Sequence, residues 1–473
     1  MSRPERGGVI GLPLLSAAIT VALACGTAEP RPSGPPKVHM GETIVGGFTC
    51  GPESRVEALH YEIHLDISDD TRRLLGRGSI RFRARAETKT VSFDTRALQV
   101  VFSEQEGQSL GQITENGVLC LELPRALEPG AEATIDLVWN LSVVGPAPMA
   151  VDDQIWAGYH APAWMPTVFD PSARATLELR IVAPDTKTVV ASGRAVSSSP
   201  VEGGRRASTF RVDRPSPPFL FAFAAGNFDE ATLDVDGVKL RALGPKGADL
   251  AGALKITAPM LRFLVTKTGA PLPSAEYTQV FVNGDAAQEA AGFALIGEQS
   301  LEDVRKDPKE DWVFAHELSH QWFGWLVPCK DFADFWLNEG FATFLVAAIK
   351  QERWGRAAYD REVELWRKRS QKAHEEGRDA PVSLAPPGQP RKPPKESELQ
   401  ARAITYSRGA LVLHKLRTEL GDQVFWDGVR RYVQSRADKE ATTEDLRAAF
   451  EAASKKDLAP FFARWVYAAA PDL

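Results

Sequence analysis

Two short stretches of the sequence contain residue types that bind metal ions and activate water. His316 and His320 stand four residues apart, which places both imidazoles on one face of a helix, and Glu317 lies between them. Glu339 follows His320 after eighteen intervening residues, in a second apolar segment that can fold back towards the first. Two imidazoles and one carboxylate leave a coordination position of zinc open for water, as in catalytic rather than structural sites. The sequence therefore predicts one zinc ion bound by His316, His320 and Glu339.

A histidine pair at this spacing also occurs by chance, and two packing histidines in a buried helix are the competing interpretation. That interpretation explains neither Glu317 between the histidines nor Glu339 in the following helical segment. A carboxylate beside an open metal position is the type of residue that takes a proton from an attacking water molecule. We therefore favour a hydrolytic metal centre over a packing role.

The composition is that of a globular protein. Of the 473 residues, 44% are apolar and 25% are charged, which excludes a disordered or fibrous chain. The net charge is -6 with both signs interspersed, so nothing indicates a nucleic-acid partner. A chain of this length exceeds one ordinary hydrophobic core, and we expect two domains. The sequence leaves the oligomeric state open.

The first residues have the pattern of an export signal. Arg3 and Arg6 precede an apolar segment over residues 9–24, which ends in the small-x-small cleavage pattern Ala-Leu-Ala. We expect a signal peptide over residues 1–24 and a flexible Pro- and Gly-rich linker over residues 25–54. Cys25 directly after the cleavage pattern indicates a lipoprotein attached to the membrane, and an ordinary secretory leader is the alternative. The expected location is periplasmic, membrane-anchored or secreted.

The remaining cysteines are too few for a disulfide framework. A bridge between Cys50 and Cys120 is possible, and Cys329 is expected to be a buried packing thiol. No apolar run downstream of the leader is expected to span a bilayer.

Residues 55–228 have the pattern of a β domain. Tyr61, Ile63 and Leu65 alternate with polar residues, which predicts a half-buried strand. Similar short runs recur up to residue 224, separated by Gly, Pro, Asp and Asn, with almost no helical periodicity. This pattern predicts an all-β saddle or sandwich.

The character of the chain changes over residues 229–473. A hairpin centred on residues 236–237 precedes a helix over residues 248–268 and strands over residues 277–282 and 293–296. The rest is almost wholly helical, apart from a proline-rich connector within residues 381–394. The predicted helices cover residues 312–325, 334–354, 357–375, 398–420, 423–434, 443–453 and 458–468. The predicted fold is therefore α+β and multidomain, with the β domain followed by a mainly helical zinc catalytic domain.

The chain resembles the aminopeptidase N family of zinc metallopeptidases, which also includes leukotriene hydrolase. The resemblance is strongest in His-Glu-Leu-Ser-His-Gln-Trp-Phe-Gly at residues 316–324 and Trp-Leu-Asn-Glu-Gly-Phe-Ala at residues 336–342. Residues 166–176 and 221–228 are similar to segments of that family's β domain. The resemblance covers roughly residues 55–473 and implies a thermolysin-like catalytic domain. It also implies zinc-dependent hydrolysis of N-terminal residues from peptides.

The resemblance implies roles for individual residues as well. Glu317 takes a proton from the attacking water, and Tyr406, within residues 404–414, donates a hydrogen bond to the oxyanion. Glu289 stands where the family's Gly-Ala-Met-Glu-Asn segment has the glutamate that binds the substrate's α-amino group, although its neighbours differ. The family's second amine-binding residue aligns with Ala157, and Gln154 is a nearby candidate.

Two alternatives to an aminopeptidase stay open. A weakened amine-binding site would give a zinc endopeptidase, and loss of chemistry would give a non-catalytic peptide-binding protein. The second is disfavoured because all five residues expected at the metal and the reacting groups are present. Residues 461–467 resemble the end of the family's catalytic domain, so we expect the C-terminal helical domain of many relatives to be missing and the cleft to be more open.

Overall fold

The computed structural model describes residues 48–51, 54–143, 148–391 and 402–469. The predicted signal peptide, Cys25 and most of the predicted linker lie outside the described residues, so these assignments stay predictions. The described residues form one unit by their contacts. The domain boundary between residues 228 and 229 also stays a prediction.

The first half of the chain is built from strands, as its alternating pattern predicts. The strands are β1 (Val56–Ile67), β2 (Arg73–Ala84), β3 (Thr88–Asp94), β4 (Gln99–Gln105), β5 (Gln108–Ser109), β6 (Gly111–Glu115), β7 (Val118–Leu127), β8 (Glu132–Ser142), β9 (Met149–Val151), β10 (Gln154–Ala157), β11 (Ala175–Pro184), β12 (Thr188–Ala191), β13 (Arg194–Val201), β14 (Arg205–Ser216) and β15 (Phe223–Gly226). In β1, Tyr61, Ile63 and Leu65 are buried whereas Glu62 is exposed. β1 pairs antiparallel with β2 and parallel with β11.

These strands form three sheets around a shared core. Their orders are β13-β14-β11-β1-β2-β8-β4-β5, β3-β7-β6 and β12-β15-β10-β9. Trp139 and Trp164 are fully buried between them, and the Trp139 indole N–H donates to the Trp164 carbonyl at 2.9 Å. The strand predicted over residues 219–224 begins later, at Phe223, because Pro218–Leu220 forms a short 3-10 helix, which proline favours at its first position.

The second half of the chain begins with a five-stranded sheet. The predicted hairpin is β16 (Asp229–Val235) and β17 (Val238–Gly244), and three further strands are β18 (Glu276–Val282), β19 (Ala287–Ala290) and β20 (Phe293–Gly297). The order is β16-β17-β18-β20-β19, with β19 antiparallel at the edge. The sequence did not predict β19, because Ala-Gln-Glu-Ala has low strand propensity and pairs only through its tertiary neighbours.

Helices form the rest of this half. They are α1 (Leu250–Thr268), α2 (Gln299–Lys306), α3 (Trp312–Ser319), α4 (Trp336–Trp354), α5 (Arg356–Glu375), α6 (Gly409–Leu420), α7 (Asp422–Arg436), α8 (Thr443–Ser454) and α9 (Ala459–Trp465). The start of α1 is capped by Asp249, whose carboxylate accepts the Gly252 N–H at 2.8 Å. A β-rich region followed by a mainly helical region is the predicted order, and it is confirmed.

Two helical segments differ from the prediction. α3 ends at Ser319 rather than at Trp325, because the chain turns there and the Trp325 N–H bonds to the His320 carbonyl at 3.1 Å. Gly324 within this turn has φ 138°, a conformation that L side chains rarely adopt. Before α6, Arg402–Arg408 forms a π-helical turn instead of a regular helix.

Helix α4 is the central element of the helical core. The segment Phe332–Trp354 is long and apolar enough to cross a membrane, although the sequence predicted no such run. However, 89% of its apolar window is buried inside the protein. The apolar character of α4 is therefore explained by its position in the core, where Trp336, Phe341 and Phe344 are buried.

Cys50 and Cys120 form a disulfide that closes a separation of 70 residues, and Cys329 is free and buried. We predict that replacing both Cys50 and Cys120 with serine lowers the free energy of unfolding by about 2–4 kcal/mol, since the bridge constrains the unfolded chain. Denaturant unfolding of wild type and variant measures the difference. Replacing Cys329 with alanine is the control for loss of a cysteine, and a reducing agent should destabilise wild type but not the double variant.

Candidate metal centre

Helices α3 and α4 bring three predicted ligands together. His316 lies in α3, His320 caps the C-terminal end of that helix one turn later, and Glu339 lies in the first turn of α4. The His316 and His320 Nε2 atoms are 3.2 Å apart. The Glu339 Oε2 atom is 3.3 Å from His316 Nε2 and 3.5 Å from His320 Nε2. The three donor atoms thus form a nearly equilateral triangle in the protein interior.

This triangle has the dimensions of one face of a zinc coordination tetrahedron. Ligand bonds of 2.0–2.1 Å place neighbouring donors about 3.3 Å apart. Glu339 Oε2 is buried and has no hydrogen-bond partner among the described residues, although its desolvation requires compensation. The donor set of two imidazoles and one carboxylate is that of catalytic zinc sites. The residues present therefore fit a single zinc ion.

The backbone after α3 orients the second histidine. His320 Nδ1 lies 3.0 Å from the Phe323 carbonyl oxygen, which is suited to a hydrogen bond from a protonated Nδ1. This contact fixes the ring and leaves Nε2 pointing at the other two ligands. The early end of α3 at Ser319 thus serves the site, because the following turn supplies the carbonyl.

The electrostatics of the centre favour a cation. Burial alone would lower the pKa of His320, but the carboxylates of Glu289 and Glu339 raise it to about 10. Burial would raise the pKa of Glu339, but the two histidines, His320 foremost, lower it to about 2. The negative potential that holds a proton on His320 is the same potential that attracts a metal ion.

Glu317 faces the same cavity. It is buried, its Oε2 atom has no hydrogen-bond partner among the described residues, and burial raises its pKa well above the usual range. One carboxylate oxygen of Glu317, one of Glu289 and a ring nitrogen of His320 lie within 4.8 Å of one another. Glu317 is therefore close to the metal centre without belonging to the ligand triangle.

Glu289 is presented by β19, the edge strand next to α3. It is buried, its Oε1 atom has no hydrogen-bond partner among the described residues, and burial raises its pKa to about 7. Gln321 fixes this strand, because its Nε2 donates to the Ala290 carbonyl at 3.0 Å and its Oε1 accepts the Gly292 N–H at 3.1 Å. Gln321 was not predicted as a functional residue, because its only signal in the sequence is its place directly after His320.

Tyr406 lies on the π-helical turn before α6, and its ring stacks on that of His316 with centroids 5.9 Å apart. Burial raises the pKa of the Tyr406 phenol well above its usual range, so the hydroxyl stays protonated. Arg408 holds the turn from within the core, where its guanidinium donates to the Ser370 hydroxyl at 2.9 Å and to Asp379 at 2.5 Å. Arg408 is fully buried, and no pattern in the sequence predicts this role.

A close contact between α4 and α6 sets the distance between Glu339 and Tyr406. A Cβ atom on Gly340 would lie 3.1 Å from the Gly409 Cα, and a Cβ on Gly409 would lie 3.1 Å from the Gly340 Cα. A side chain at either position would therefore require the two backbones to separate by a few tenths of an ångström. Gly340 follows the metal ligand directly, and Gly409 is three residues after Tyr406, so the helix crossing positions both side chains.

The structure does not place Gln154 at the site. Its Oε1 atom accepts the backbone N–H of Asn283 at 3.0 Å, and it does not line the cleft around the metal centre. Ala157 is fully buried in β10 and has no polar side chain. The second amine-binding position expected from the resemblance is therefore filled by neither residue.

A cleft of about 1490 Å³ joins these groups. It is lined by residues from both halves of the chain, among them Tyr159, His160, Glu289, Trp312, His316, Glu317, His320, Phe335, Glu339, Leu365 and Tyr406. The volume is large enough for several residues of a peptide. The five residues that the sequence predicted for the metal and the reacting groups all line it, as does Glu289.

Comparison with known proteins gives consistent matches. Residues 253–465 match the Peptidase family M1 domain. The chain is 27% identical over 315 residues to Aminopeptidase M1 of Arabidopsis thaliana, which covers 63% of this chain and 34% of that protein. It is 22% identical over 440 residues to Aminopeptidase 2 of Candida albicans, which covers 87% of this chain and 47% of that protein. The chain thus spans between a third and a half of the length of these relatives.

Solved structures show the same fold. The M1 zinc metallopeptidase of Deinococcus radiodurans superposes with a TM-score of 0.70 at 22% identity, over 88% of this chain and 95% of that one. A mutant of the same protein, bound to a Tyr-Ser-Ala substrate, gives a TM-score of 0.69. At this identity the likeness concerns the fold, and it confirms the predicted fold class.

We predict that Gly409→Ala destabilises the protein by about 1–3 kcal/mol and lowers its zinc content, because the added methyl group pushes α6 away from Gly340. Thermal unfolding and metal analysis of the purified variant measure both effects. Glu419→Ala, on the exposed side of α6, is the control and should change neither. Unchanged zinc binding in Gly409→Ala would contradict the role given to the crossing.

Proposed function

We propose that this chain, which belongs to the aminopeptidase N family of zinc metallopeptidases, is a zinc-dependent aminopeptidase that removes N-terminal residues from peptides. The observation that carries the proposal is a buried carboxylate, Glu289, in the same cleft as a three-residue zinc centre. The names of the relatives, Aminopeptidase M1 and Aminopeptidase 2, support the same activity. One zinc ion is proposed, because the three ligand atoms converge on one point.

The direction of the substrate follows from the order of residues along α3. Trp312, His316 and His320 recur every four residues, so they form a row with steps of about 6 Å along the helix axis. Glu289 lies at the His320 end of this row, where Gln321 fixes β19. An α-ammonium group at Glu289 therefore puts the first carbonyl near the metal ligands. The rest of the peptide then runs towards Trp312, whose side chain is exposed in the cleft.

The side chains around the scissile bond have different roles in hydrolysis. A zinc ion held by the three ligands would supply Lewis-acid activation of a water molecule and of the scissile carbonyl. Glu317 takes the proton of the attacking water and passes it to the leaving amine, since its Oε2 atom has no other partner among the described residues. Tyr406 stays protonated and donates a hydrogen bond to the developing oxyanion.

Glu289 makes the difference between cleavage at the terminus and cleavage within a peptide. A buried carboxylate pairs with an ammonium group far better than with a neutral amide N–H, so free amino termini bind in preference. The position of that charge relative to the metal then selects the first peptide bond. Because Gln154 is engaged elsewhere, an endopeptidase with weak amine binding is the alternative that an experiment must separate.

We also propose that the protein is exported and attached to a membrane through acylated Cys25. The charged and apolar pattern of residues 1–24 supports export, and the disulfide between Cys50 and Cys120 supports an oxidising compartment. Mass spectrometry of the wild-type protein and of Cys25→Ala, each isolated from membrane and soluble fractions, tests this. We expect an acylated Cys25 in the membrane fraction of wild type only. An unmodified Cys25 in a secreted protein would leave only the export proposal.

Replacing Glu317 with glutamine is predicted to lower kcat by about 10²–10⁴-fold while the zinc content stays that of wild type. The reason is that the amide cannot accept the water's proton, whereas the ligand triangle is untouched. Kinetics with an aminoacyl anilide and metal analysis on the same sample measure this. Glu339→Gln serves for comparison, since it should lose zinc together with activity.

Replacing Glu289 with alanine is predicted to raise KM for substrates with a free amino terminus by about 10–100-fold, because an ionic hydrogen bond is lost. Hydrolysis of N-acetylated peptides should not change. Glu310→Ala removes an equal charge from the exposed rim of the same cleft and is the matched control. Equal rates of wild type on free and acetylated peptides would favour the endopeptidase.

A further inference from the structure

Glu289 alone does not account for all the hydrogen bonds that a bound α-ammonium group can donate. An α-ammonium group has three N–H donors, and Glu289 is one carboxylate at the edge of a sheet. Ala157 has no polar side chain, and Gln154 is bonded to the backbone of Asn283. Any second acceptor from the protein therefore comes from another residue that faces Glu289 across the cleft.

The segment after β10 comes directly against the strand that presents Glu289. A Cβ atom on Gly158 would lie 3.1 Å from the Gln288 Cβ and 3.1 Å from the Leu295 Cδ1. The backbone at residue 158 therefore touches β19 next to Glu289, at a distance that leaves little room for any side chain. The next residue, Tyr159, lines the cleft together with Glu289.

The backbone of Tyr159 is in a conformation that bulky residues seldom adopt. Its φ is 53°, in the left-handed region, where a side chain is disfavoured by contact with its own backbone. A conformation of this kind persists only where the surroundings fix it, and such positions are common at binding sites. Here it accompanies a side chain directed into the cleft.

Aromatic neighbours hold the Tyr159 ring in place. Its centroid is 5.8 Å from that of Phe219, 6.0 Å from that of Phe169 and 6.5 Å from that of Phe335. Phe335 precedes α4, and its carbonyl accepts the N–H of the metal ligand Glu339 at 3.2 Å. The ring thus lies between the strand of Glu289 and the helix of Glu339, at the end of the cleft where the substrate's amino group is placed.

The hydroxyl group of Tyr159 is available to a ligand. It has no hydrogen-bond partner among the described residues. Burial, followed by the carboxylates of Glu289 and Glu339, raises the pKa of the phenol, so it stays neutral. A neutral phenol oxygen accepts an N–H of an ammonium group, and the ring face attracts the same charge.

We infer that Tyr159 is the second residue that binds the substrate's α-ammonium group, with its hydroxyl oxygen as acceptor opposite Glu289. The inference rests on the proposed aminopeptidase function and names a binding residue for that same site. It assigns the role to a phenol, two residues beyond the position at which the family's second amine-binding residue aligns. The ligand class is a peptide or amino-acid derivative with an unsubstituted amino terminus.

The test compares Tyr159→Phe with wild type on leucine 4-nitroanilide and on a peptide substrate with and without an N-acetyl group. Loss of the hydroxyl should raise KM for the free amine about tenfold or more, leave kcat nearly unchanged, and leave hydrolysis of the acetylated peptide unchanged. Tyr432→Phe is the control for removal of a phenol hydroxyl, since the Tyr432 hydroxyl is buried, has no hydrogen-bond partner among the described residues and does not line the cleft.

A second readout does not depend on turnover. The inhibition constant of leucine hydroxamate should rise about tenfold in Tyr159→Phe, whereas that of 4-methylpentanohydroxamate, which lacks the amino group, should not change. Phenylalanine keeps the ring contacts with Phe219 and Phe335, so the variant is expected to fold and to bind zinc, which thermal unfolding and metal analysis verify.

The possible results separate the role of Tyr159 from the proposed aminopeptidase function. If Tyr159→Phe keeps the wild-type preference for free amines while Glu289→Ala loses it, Tyr159 is not the second acceptor and the aminopeptidase assignment stands. If wild type has no preference for free amines and Glu289→Ala changes nothing, both assignments fail. If Tyr159→Phe binds both leucine hydroxamate and 4-methylpentanohydroxamate more weakly than wild type, Tyr159 does not act through the ammonium group.

Discussion

The cleft depends on the burial of three carboxylates close to one another. Glu289, Glu317 and Glu339 are each at most 5% exposed, and each has one carboxylate oxygen without a hydrogen-bond partner among the described residues. Burying negative charges at this density is unfavourable unless cations neutralise them. The arrangement is stable with a divalent ion at the ligand triangle and an ammonium group at Glu289. A bound metal ion and the substrate's ammonium group therefore neutralise carboxylate charge that the protein alone leaves uncompensated.

The helices and strands around the cleft fix the positions of the metal ligands and of the other functional side chains. α3 and its C-terminal cap supply the two histidines, because residues four apart lie on the same side of a helix, and Gln321, directly after the cap, ties this segment to β19. The close crossing of α4 and α6 at Gly340 and Gly409 brings the third ligand and the tyrosine to the same centre. Each functional side chain is thus carried by an element whose backbone is bonded or packed against a neighbouring element of the site.

Local sequence was sufficient for part of this arrangement. The histidine pair is a property of helical spacing, and the strand at Tyr61 is a property of alternation, so both could be predicted from a few residues. Glu289 and Tyr406 required the resemblance to a family, because neither stands in a pattern that marks its chemistry. β19, the buried Arg408 and the glycine crossing were missed, since they depend on contacts between segments far apart in sequence.

The same charge balance gives a physical reason for a phenol opposite Glu289. A second carboxylate at the amine-binding end would add a fourth negative charge to a cavity in which burial already raises the pKa values of Glu289 and Glu317. The Tyr159 hydroxyl offers an acceptor without charge, and its ring is held by apolar neighbours that require no further desolvation of polar groups. The site would then bind an ammonium group with one ionic and one neutral partner. In such a site the buried carboxylate selects free over blocked amino termini, and the phenol orients the bound amine.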